Sequence, residues 1–404
     1  MSVLGGKKIL IGVTAGIAAY KSAWLVRGFI KAGAEVKVIM TPAAKDFVTP
    51  LTLATLSKNE VFSSFVNDDD TDNPTWNNHV ELGLWADFFV IAPATANTMA
   101  KMSTGTCDNL LLATYLSAKC PVYFAPAMDL DMYRHRSTQE TFEKLQSYGN
   151  IMIPAGHGEL ASGLEGQGRM AEPEDIVRFI EQHHLSQLPL RQKKILLTAG
   201  PTHEAIDPVR FIGNHSSGKM GYAIAERALA LGAEVILISG PTHLAMHHSR
   251  LTIERVSSAQ EMYEAAQLHF KEADILIAAA AVADYRPANT ATQKIKKKSE
   301  ALTLQLESTI DILATLGKQK QNQFLVGFAL ETENELEHAK AKLVRKNLDM
   351  IVLNSLKDKG AGFQTETNKI TILHKDGEKI NFDLKSKTEV ASDILDEVIK
   401  KTDV

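Results

Sequence analysis

Cysteine is almost absent from this 404-residue chain, which has Cys107 and Cys120 and no others. Each lies beside apolar sequence with no partner at CxxC spacing, which argues against a disulfide framework and against a zinc site. A reducing, cytoplasmic setting is expected. No apolar run is long enough to cross a bilayer, and no basic leader with a cleavage site precedes the first strand-like segment, so neither membrane anchoring nor export is expected. Positive charge is not in excess either: 44 Lys and Arg against 48 Asp and Glu leave a formal net charge of -4. No global basic field is left to hold nucleic acid or anionic lipid. Missing too is GxGxxG after a strand, so an ordinary dinucleotide oxidoreductase is not supported. What remains, 45% hydrophobic and 23% charged residues, is the composition of a globular protein that works on small molecules.

What the chain does have is one opening, written twice. KKILIGVTAG at residues 7–16 and KKILLTAGPT at 193–202 each lead on to GAEV, at 33–36 and 232–235. In the first copy a short buried strand is followed by IAAYKSAWLVRGFIKAGA. There Ala19, Trp24, Leu25, Phe29 and Ile30 recur near helical spacing up to Gly33, and EVKVIMT follows as a second strand. The second copy repeats the unit as KKILLTAG, MGYAIAERALALGA and EVILISG, with the stretch PTHEAIDPVRFIGNHSSGK enlarging the strand-to-helix connection. The apolar runs ADFFVIAPATAN, VYFAPAMD, ADILIAAAAVADYR and FLVGFALET end in small or polar residues. Two-sided apolar strands alternating with helices predict an α/β protein. The expected form is two tandem Rossmann-like domains, each a largely parallel sheet covered by helices on both faces. The chain is too long for one ordinary core. Domains of 1–188 and 189–404 are expected, divided in the polar stretch HLSQLPLRQ. Ligands are then expected at the carboxyl edges of the strands, where helix N-termini point positive.

In the first half, Thr14 and Gly16 with the helix start after them read as a nest for one phosphate. Thr41 ends the next strand, and APATANT puts Thr95 and Asn97 at another strand end. Each alone reads as an ordinary turn; small residues, hydroxyls and a carboxamide at successive strand ends suit flavin mononucleotide. His79 reads as a helix-cap histidine or as a base titrating near neutrality.

In the second half, GNHSSGKM meets GxxxxGK with Gly213, Gly218 and Lys219 but has Met220 where a P-loop has Ser or Thr. With a long insert before it, the loop is not expected to be a Walker motif. Its backbone with Ser216, Ser217, Gly218 and Lys219 can still gather phosphate at a helix start, and Asn214 adds a neutral donor and acceptor. Asp284 ends AAVAD as a carboxylate for a ribose or an amino group. QKIKKK at 293–298 offers local positive charge to a triphosphate, Phe328 offers a ring to a base, and Lys342 and Lys346 share a helical face.

Residues 5–180 resemble the flavin-dependent cysteine decarboxylases through GVTAGIAAYK, the isolated His79, APATANT, PAMDLDM and GELASGLEGQGRM, in that family's order. The resemblance implies that FMN oxidises the substrate thiol, giving a thioaldehyde that takes up the electrons left as carbon dioxide departs. His79 is then the catalytic histidine, and Met128 a cofactor contact. Two positions depart from the pattern: Asp129 stands where the family commonly has Asn to bind the substrate carboxylate, and Ser162 where it commonly has Cys. An ionised Asp129 would repel a carboxylate unless protonated, paired with a cation such as Arg169, or used to destabilise the departing group. A serine cannot do thiol chemistry. Retained decarboxylation is expected; a flavin-binding half that is impaired or regulatory is the alternative.

Residues 193 to about 385 resemble the phosphopantothenoylcysteine synthetases that use CTP, through AGPTHEAIDPVRFIGNHSSGKMG, AAVADYRP, KIKK, VGFALET and KNLDMIV. The resemblance implies that 4'-phosphopantothenate attacks the α-phosphate of CTP, and that cysteine opens the resulting acyl-cytidylate to an amide. Lys294 matches the essential lysine and Asn214 the residue linked to the acyl-cytidylate. Asp284, Asp311, Phe328, Lys342 and Lys346 match contacts to cytidine and triphosphate, although ESTIDIL departs from the usual Asn-Pro-Asp around Asp311. Magnesium is expected on the triphosphate without a dedicated metal box. The whole chain thus resembles the bifunctional coenzyme A biosynthesis family, which implies a homo-oligomer with flavin sites near subunit contacts.

Overall fold

The computed structural model describes residues 2–67, 75–297, 302–331, 334–355 and 365–402. The chain divides into two compact units, Met1–His184 and Leu185–Val404.

The first unit is built on strands β1 (Lys8–Val13), β2 (Glu35–Met40), β3 (Val61–Phe62), β4 (Phe88–Ala94), β5 (Val122–Pro126) and β6 (Ile151–Met152). They lie in the order β3-β2-β1-β4-β5-β6 and every pair is parallel. Chain order reverses between β1 and β4, which opens a crevice at their carboxyl ends. Side chains alternate across this sheet. Ile9, Ile11, Val38, Val90 and Tyr123 pack on one face with Leu25, Val26, Phe29, Ile176 and Ile180. On the other, Leu10, Ile39, Phe89, Ile91 and Phe124 meet Leu82, Met99, Met102, Leu111 and Phe142. Of the residues read at helical spacing, Trp24 turns outward and is exposed.

Helix α1 (His79–Trp85) lies outside the crevice, which is framed by helices α2 (Ala96–Thr104) and α3 (Leu130–Arg134) and the antiparallel hairpin β7 (Gly156–Glu159) with β8 (Glu165–Arg169).

The second unit repeats the plan with β9 (Lys194–Ala199), β12 (Glu234–Ser239), β13 (Leu251–Arg255), β14 (Ile275–Ala278), β15 (Phe324–Glu331) and β16 (Met350–Ser355), after which β17 (Ile370–His374) and β18 (Lys379–Asn381) run antiparallel. Their order is β13-β12-β9-β14-β15-β16-β17-β18. The repeated opening makes the same pairing twice, Ile9 opposite Val36 and Ile195 opposite Val235. The long insert after β9 forms the antiparallel hairpin β10 (His203–Ala205) and β11 (Phe211–Gly213), which leads into helix α4 (Lys219–Ala230). Helices α5 (Ile312–Gln319), α6 (Glu335–Arg345) and α7 (Lys387–Lys401) complete the elements used below. The run ADILIAAAAVAD is strand only as far as Ala278, so Asp284 stands in the connection before a short strand, Tyr285–Pro287.

Candidate active sites

A cavity of about 950 Å³ lies at the carboxyl edge of the first sheet. Gly16, Thr41, Thr95, Asn97, Met128 and Asp129 all line it, brought from the ends of β1, β2, β4 and β5. Thr95 caps α2, its hydroxyl accepting the Thr98 amide, so this helix start faces the cavity. Thr41 Oγ1 is buried and has no partner among the described residues. A polar atom so placed, beside the N-terminus of α2, fits a flat ligand bearing hydrogen-bonding groups and a phosphate.

Three of the expected residues do not line this cavity. Thr14 is fully buried and its hydroxyl is already used, donating to Pro93 O at 2.7 Å and accepting the Thr95 amide at 3.2 Å. It staples two strand ends instead of holding phosphate. His79 opens α1, where its ring packs edge-on against Phe65 and Trp76 and its Nδ1 is buried without a partner among the described residues. Ser162 occupies the exposed turn of the β7–β8 hairpin, where its hydroxyl accepts the Leu164 amide at 3.4 Å. Of the three alternatives left open for Asp129, the pairing with Arg169 is not made among the described residues. Asp129 accepts the Leu130 amide at 2.6 Å, and Arg169 goes to Glu172 at 3.0 Å.

The structure adds cavity residues that the sequence reading missed. Lys21 is buried, donates to Met170 O at 3.1 Å and pairs with Glu172 at 2.9 Å. The Lys21 hydrogen bond, with help from the charges of Lys21 and Arg169, holds the Glu172 carboxyl below the usual glutamate range against the opposing effect of burial. Lys101 pairs with Asp108 at 2.5 Å at the same rim. Lys21 closes GVTAGIAAYK, and that position was the only hint of it.

The second cavity, about 740 Å³, crosses the carboxyl edge from β9 to β16. Asn214, Ser216, Ser217, Gly218, Lys219, Asp284, Asp311, Phe328, Lys342 and Lys346 line it. Asn214 donates to Ala281 O at 3.0 Å and Val282 O at 3.1 Å, fixing the loop ahead of α4 against the strand end. Gly218 takes φ +78° as the residue before α4, a conformation that favours glycine. Lys219 pairs with Glu366, and Lys342 donates to Phe328 O at 2.8 Å. Asp311 caps α5 and pairs with Lys346 at 2.7 Å. Burial pushes its carboxyl up, yet the Lys346 hydrogen bond, the Ala314 amide and the charges of Lys346 and Arg345 outweigh that and leave it below the usual aspartate range.

Lys294 is the exception. It is exposed and does not line this cavity, while the neighbouring Ile295 is bound to the β10–β11 hairpin. Lys298, at the end of QKIKKK, and Thr332, at the end of GFALET, lie outside the described residues. Missed by the sequence reading are Thr198, Asn354, Asn368 and Lys387, all lining the cavity. Asn354 Oδ1 is buried without a partner among the described residues. Its place at the end of the apolar run MIVLN was the available signal. Among the described residues no group of three or more His, Cys, Asp or Glu could hold a metal ion, and no helix is long and apolar enough to cross a membrane.

Two strand-order reversals, each with a cavity at the carboxyl edge, define a tandem α/β protein with two candidate ligand sites. Comparison with known proteins agrees: a flavoprotein family model matches residues 2–185, and the C-terminal domain model of the DNA/pantothenate metabolism flavoproteins matches residues 190–402. The coenzyme A biosynthesis bifunctional protein CoaBC of Bacillus subtilis (strain 168) is 44% identical over 98% of this chain and 97% of its own. The Escherichia coli (strain K12) protein of that name is 40% identical over 99% and 98%. A cysteine/cysteine sulfinic acid decarboxylase from an unknown prokaryotic organism is 54% identical over 87% of this chain and 99% of its own. The chain belongs to the bifunctional coenzyme A biosynthesis family, and it is an enzyme with a decarboxylase half and a ligase half.

Proposed function

We propose that the second unit joins cysteine to 4'-phosphopantothenate with CTP, and that the first unit decarboxylates the product, 4'-phosphopantothenoylcysteine, to 4'-phosphopantetheine. The observation that carries the ligase reading is the gathering of Asn214, Lys219, Asp284, Asp311, Lys342 and Lys346 around one cavity at a helix start. The N-terminus of α4 with Lys219, Lys342 and Lys346 supplies positive charge for a triphosphate. Asp284 and Phe328 line the same cavity, and on this reading Asp284 accepts from a ribose hydroxyl and Phe328 packs on the base. Asp284 and Asp311 would help to hold magnesium, which would supply positive charge to the triphosphate, since such ions need few protein ligands. The substrate carboxylate then attacks the α-phosphate, pyrophosphate leaves, and the cysteine amine displaces cytidine monophosphate from the acyl-cytidylate. Lys294 stabilises charge developing on the α-phosphate.

In the first unit, flavin mononucleotide, when bound, supplies a two-electron oxidant for the substrate thiol. Gly16, Thr41, Thr95, Asn97 and Met128 would hold it, with the start of α2 toward its phosphate. His79 packs on Trp76, which is exposed, and its helix, α1, exposes Val80 and Leu84. A second copy of the chain packed on that face would bring His79 to a neighbouring cavity, where its imidazole can accept a proton from substrate.

The test supplies purified enzyme with 4'-phosphopantothenate, cysteine, CTP and magnesium, and follows pyrophosphate and carbon dioxide separately. Both should appear. Pyrophosphate without carbon dioxide would remove the decarboxylase reading and leave the ligase.

Specific observations favour a second reading for the first unit alone. Asp129 and Ser162 depart from the family's pattern, and the 54% identical relative is named for cysteine and cysteine sulfinic acid. On that reading the first unit releases carbon dioxide from one of those small amino acids. Offering phosphopantothenoylcysteine, cysteine and cysteine sulfinic acid in parallel decides between the two.

A further inference from the structure

The β10–β11 hairpin joins a residue that lines the second cavity to the segment that carries Lys294. Its end leads into Asn214, and its turn carries Asp207, 2% exposed in a segment that otherwise faces solvent. The two oxygens of Asp207 have separate tasks. Oδ1 accepts the amides of Val209 and Arg210, each at 2.9 Å, which forms the turn itself. Oδ2 accepts Arg210 Nε at 3.1 Å, Arg210 Nη2 at 2.5 Å and, across 88 residues of sequence, the Ile295 amide at 3.1 Å. Arg210 Nη2 also donates to Ile295 O at 3.0 Å. The peptide groups on both sides of Ile295 are therefore held by one ion pair. Upstream, the Ala291 amide donates to Ile206 O at 3.0 Å and Thr290 Oγ1 to Ala205 O at 3.2 Å, so the segment from 290 to 295 is laid along the hairpin.

Lys294 is the residue immediately before the clamped one. A lysine has four rotatable side-chain bonds, so where its ammonium can reach is set by its backbone, and a displacement of about 1 Å at a reacting group costs up to ~100-fold in rate. We propose that Asp207, through Oδ2 and Arg210, is a positioning residue for the ligase reaction. On this proposal it fixes the backbone of Ile295 and so sets the reach of Lys294, which is exposed and outside the cavity lining in this structure, toward the triphosphate; it touches no substrate itself. The inference rests on the reading of Lys294 given above.

Asp207→Asn isolates the claim. The amide keeps an oxygen for the turn but turns an NH2 toward Arg210 and the Ile295 N–H, so only the clamp is lost. In the full-length enzyme, kcat for amide formation should fall ~10-fold or more, while KM for CTP and flavin absorbance stay close to wild type. The same change on a Lys294→Arg background should cost much less, because the group it positions is already altered. An equal cost on both backgrounds would make Asp207 merely structural and overturn the proposal, as would an unchanged kcat. Lys294→Gln separates the premise from the inference. If that variant ligates normally, the role of Lys294 falls and the positioning role falls with it. If it is inactive while Asp207→Asn is normal, Lys294 stands and the clamp does not.

Discussion

Thr14 and Thr95 join the ends of two neighbouring strands: the buried Thr14 hydroxyl accepts the Thr95 amide at 3.2 Å while donating to Pro93 O at 2.7 Å. Thr95 in turn caps α2, the helix whose start faces the flavin-type cavity. Thr14→Val keeps the shape and strands a buried carbonyl and amide, which costs about 1–3 kcal/mol. We expect a lower urea midpoint for the first unit and faster loss of flavin in the same variant, with pyrophosphate release from the ligase half unaltered. Full flavin retention would show that the staple does not govern the helix start.

The two thiols should differ in reactivity. Burial, the largest influence on Cys120, pushes its thiol up to about 11, whereas Cys107 is exposed. Since the thiolate is the reacting form, a disulfide reagent near pH 8 should modify one equivalent per chain quickly and the second only on unfolding. Cys107→Ser should remove the fast phase. Two fast equivalents in the native enzyme would contradict the raised thiol of the half-buried Cys120.

Acid should loosen the first cavity through Glu172. Its carboxyl is held below its ordinary value of 4.5 chiefly by the Lys21 hydrogen bond. A depressed folded-state value means stability that is fully present above that ordinary value and is lost as pH falls through the lower, folded one. Lys21 is nearly buried, so protonation of Glu172 leaves a poorly solvated ammonium with only Met170 O. Glu172→Gln should therefore weaken flavin retention at neutral pH and flatten its acid dependence below about pH 4.5. A variant with the wild-type acid profile would place the titration elsewhere.

The fold was legible because two-sided apolar strands leave few arrangements, and a repeated KKIL…GAEV implied a repeated register, as Ile9 with Val36 and Ile195 with Val235 show. Thr41, Asn97, Asp284 and Phe328 were legible for the same reason, since topology alone sends the strands and connections that carry them to one edge. Lys21, Lys101 and Asn354 were not, because nothing local distinguishes a cavity lysine from a surface one or a strand-end asparagine from a turn. Thr14, His79, Ser162 and Lys294 were found by motif, but motif order carries no information on where a side chain points. A hydroxyl at a strand end can be consumed by the next strand, as Thr14 is. Residues on a helix start, a hairpin tip or a loop are placed by tertiary contacts that spacing does not encode.

The hairpin over the first cavity gives a final, internally controlled prediction. Gly168 takes φ +139°, and a Cβ there would come 2.5 Å from Met128 O, while Gly168 O accepts the Met128 amide at 3.0 Å. The β8 strand can lie against the Met128–Asp129 corner only because that side chain is missing. Gly163, in the same hairpin, also has a positive φ of +83°, but its Cβ would meet nothing within 4 Å. Gly163→Ala bears the backbone cost of a left-handed conformation, about 1–2 kcal/mol, whereas Gly168→Ala meets a wider positive φ that side chains rarely adopt and must also move the hairpin off the cavity. Gly168→Ala should thus lose flavin and carbon dioxide release at least ~10-fold, with Gly163→Ala near wild type and amide formation intact in both. Equal behaviour of the two variants would mean that backbone strain, and not the approach of β8 to Met128, is what the cavity depends on.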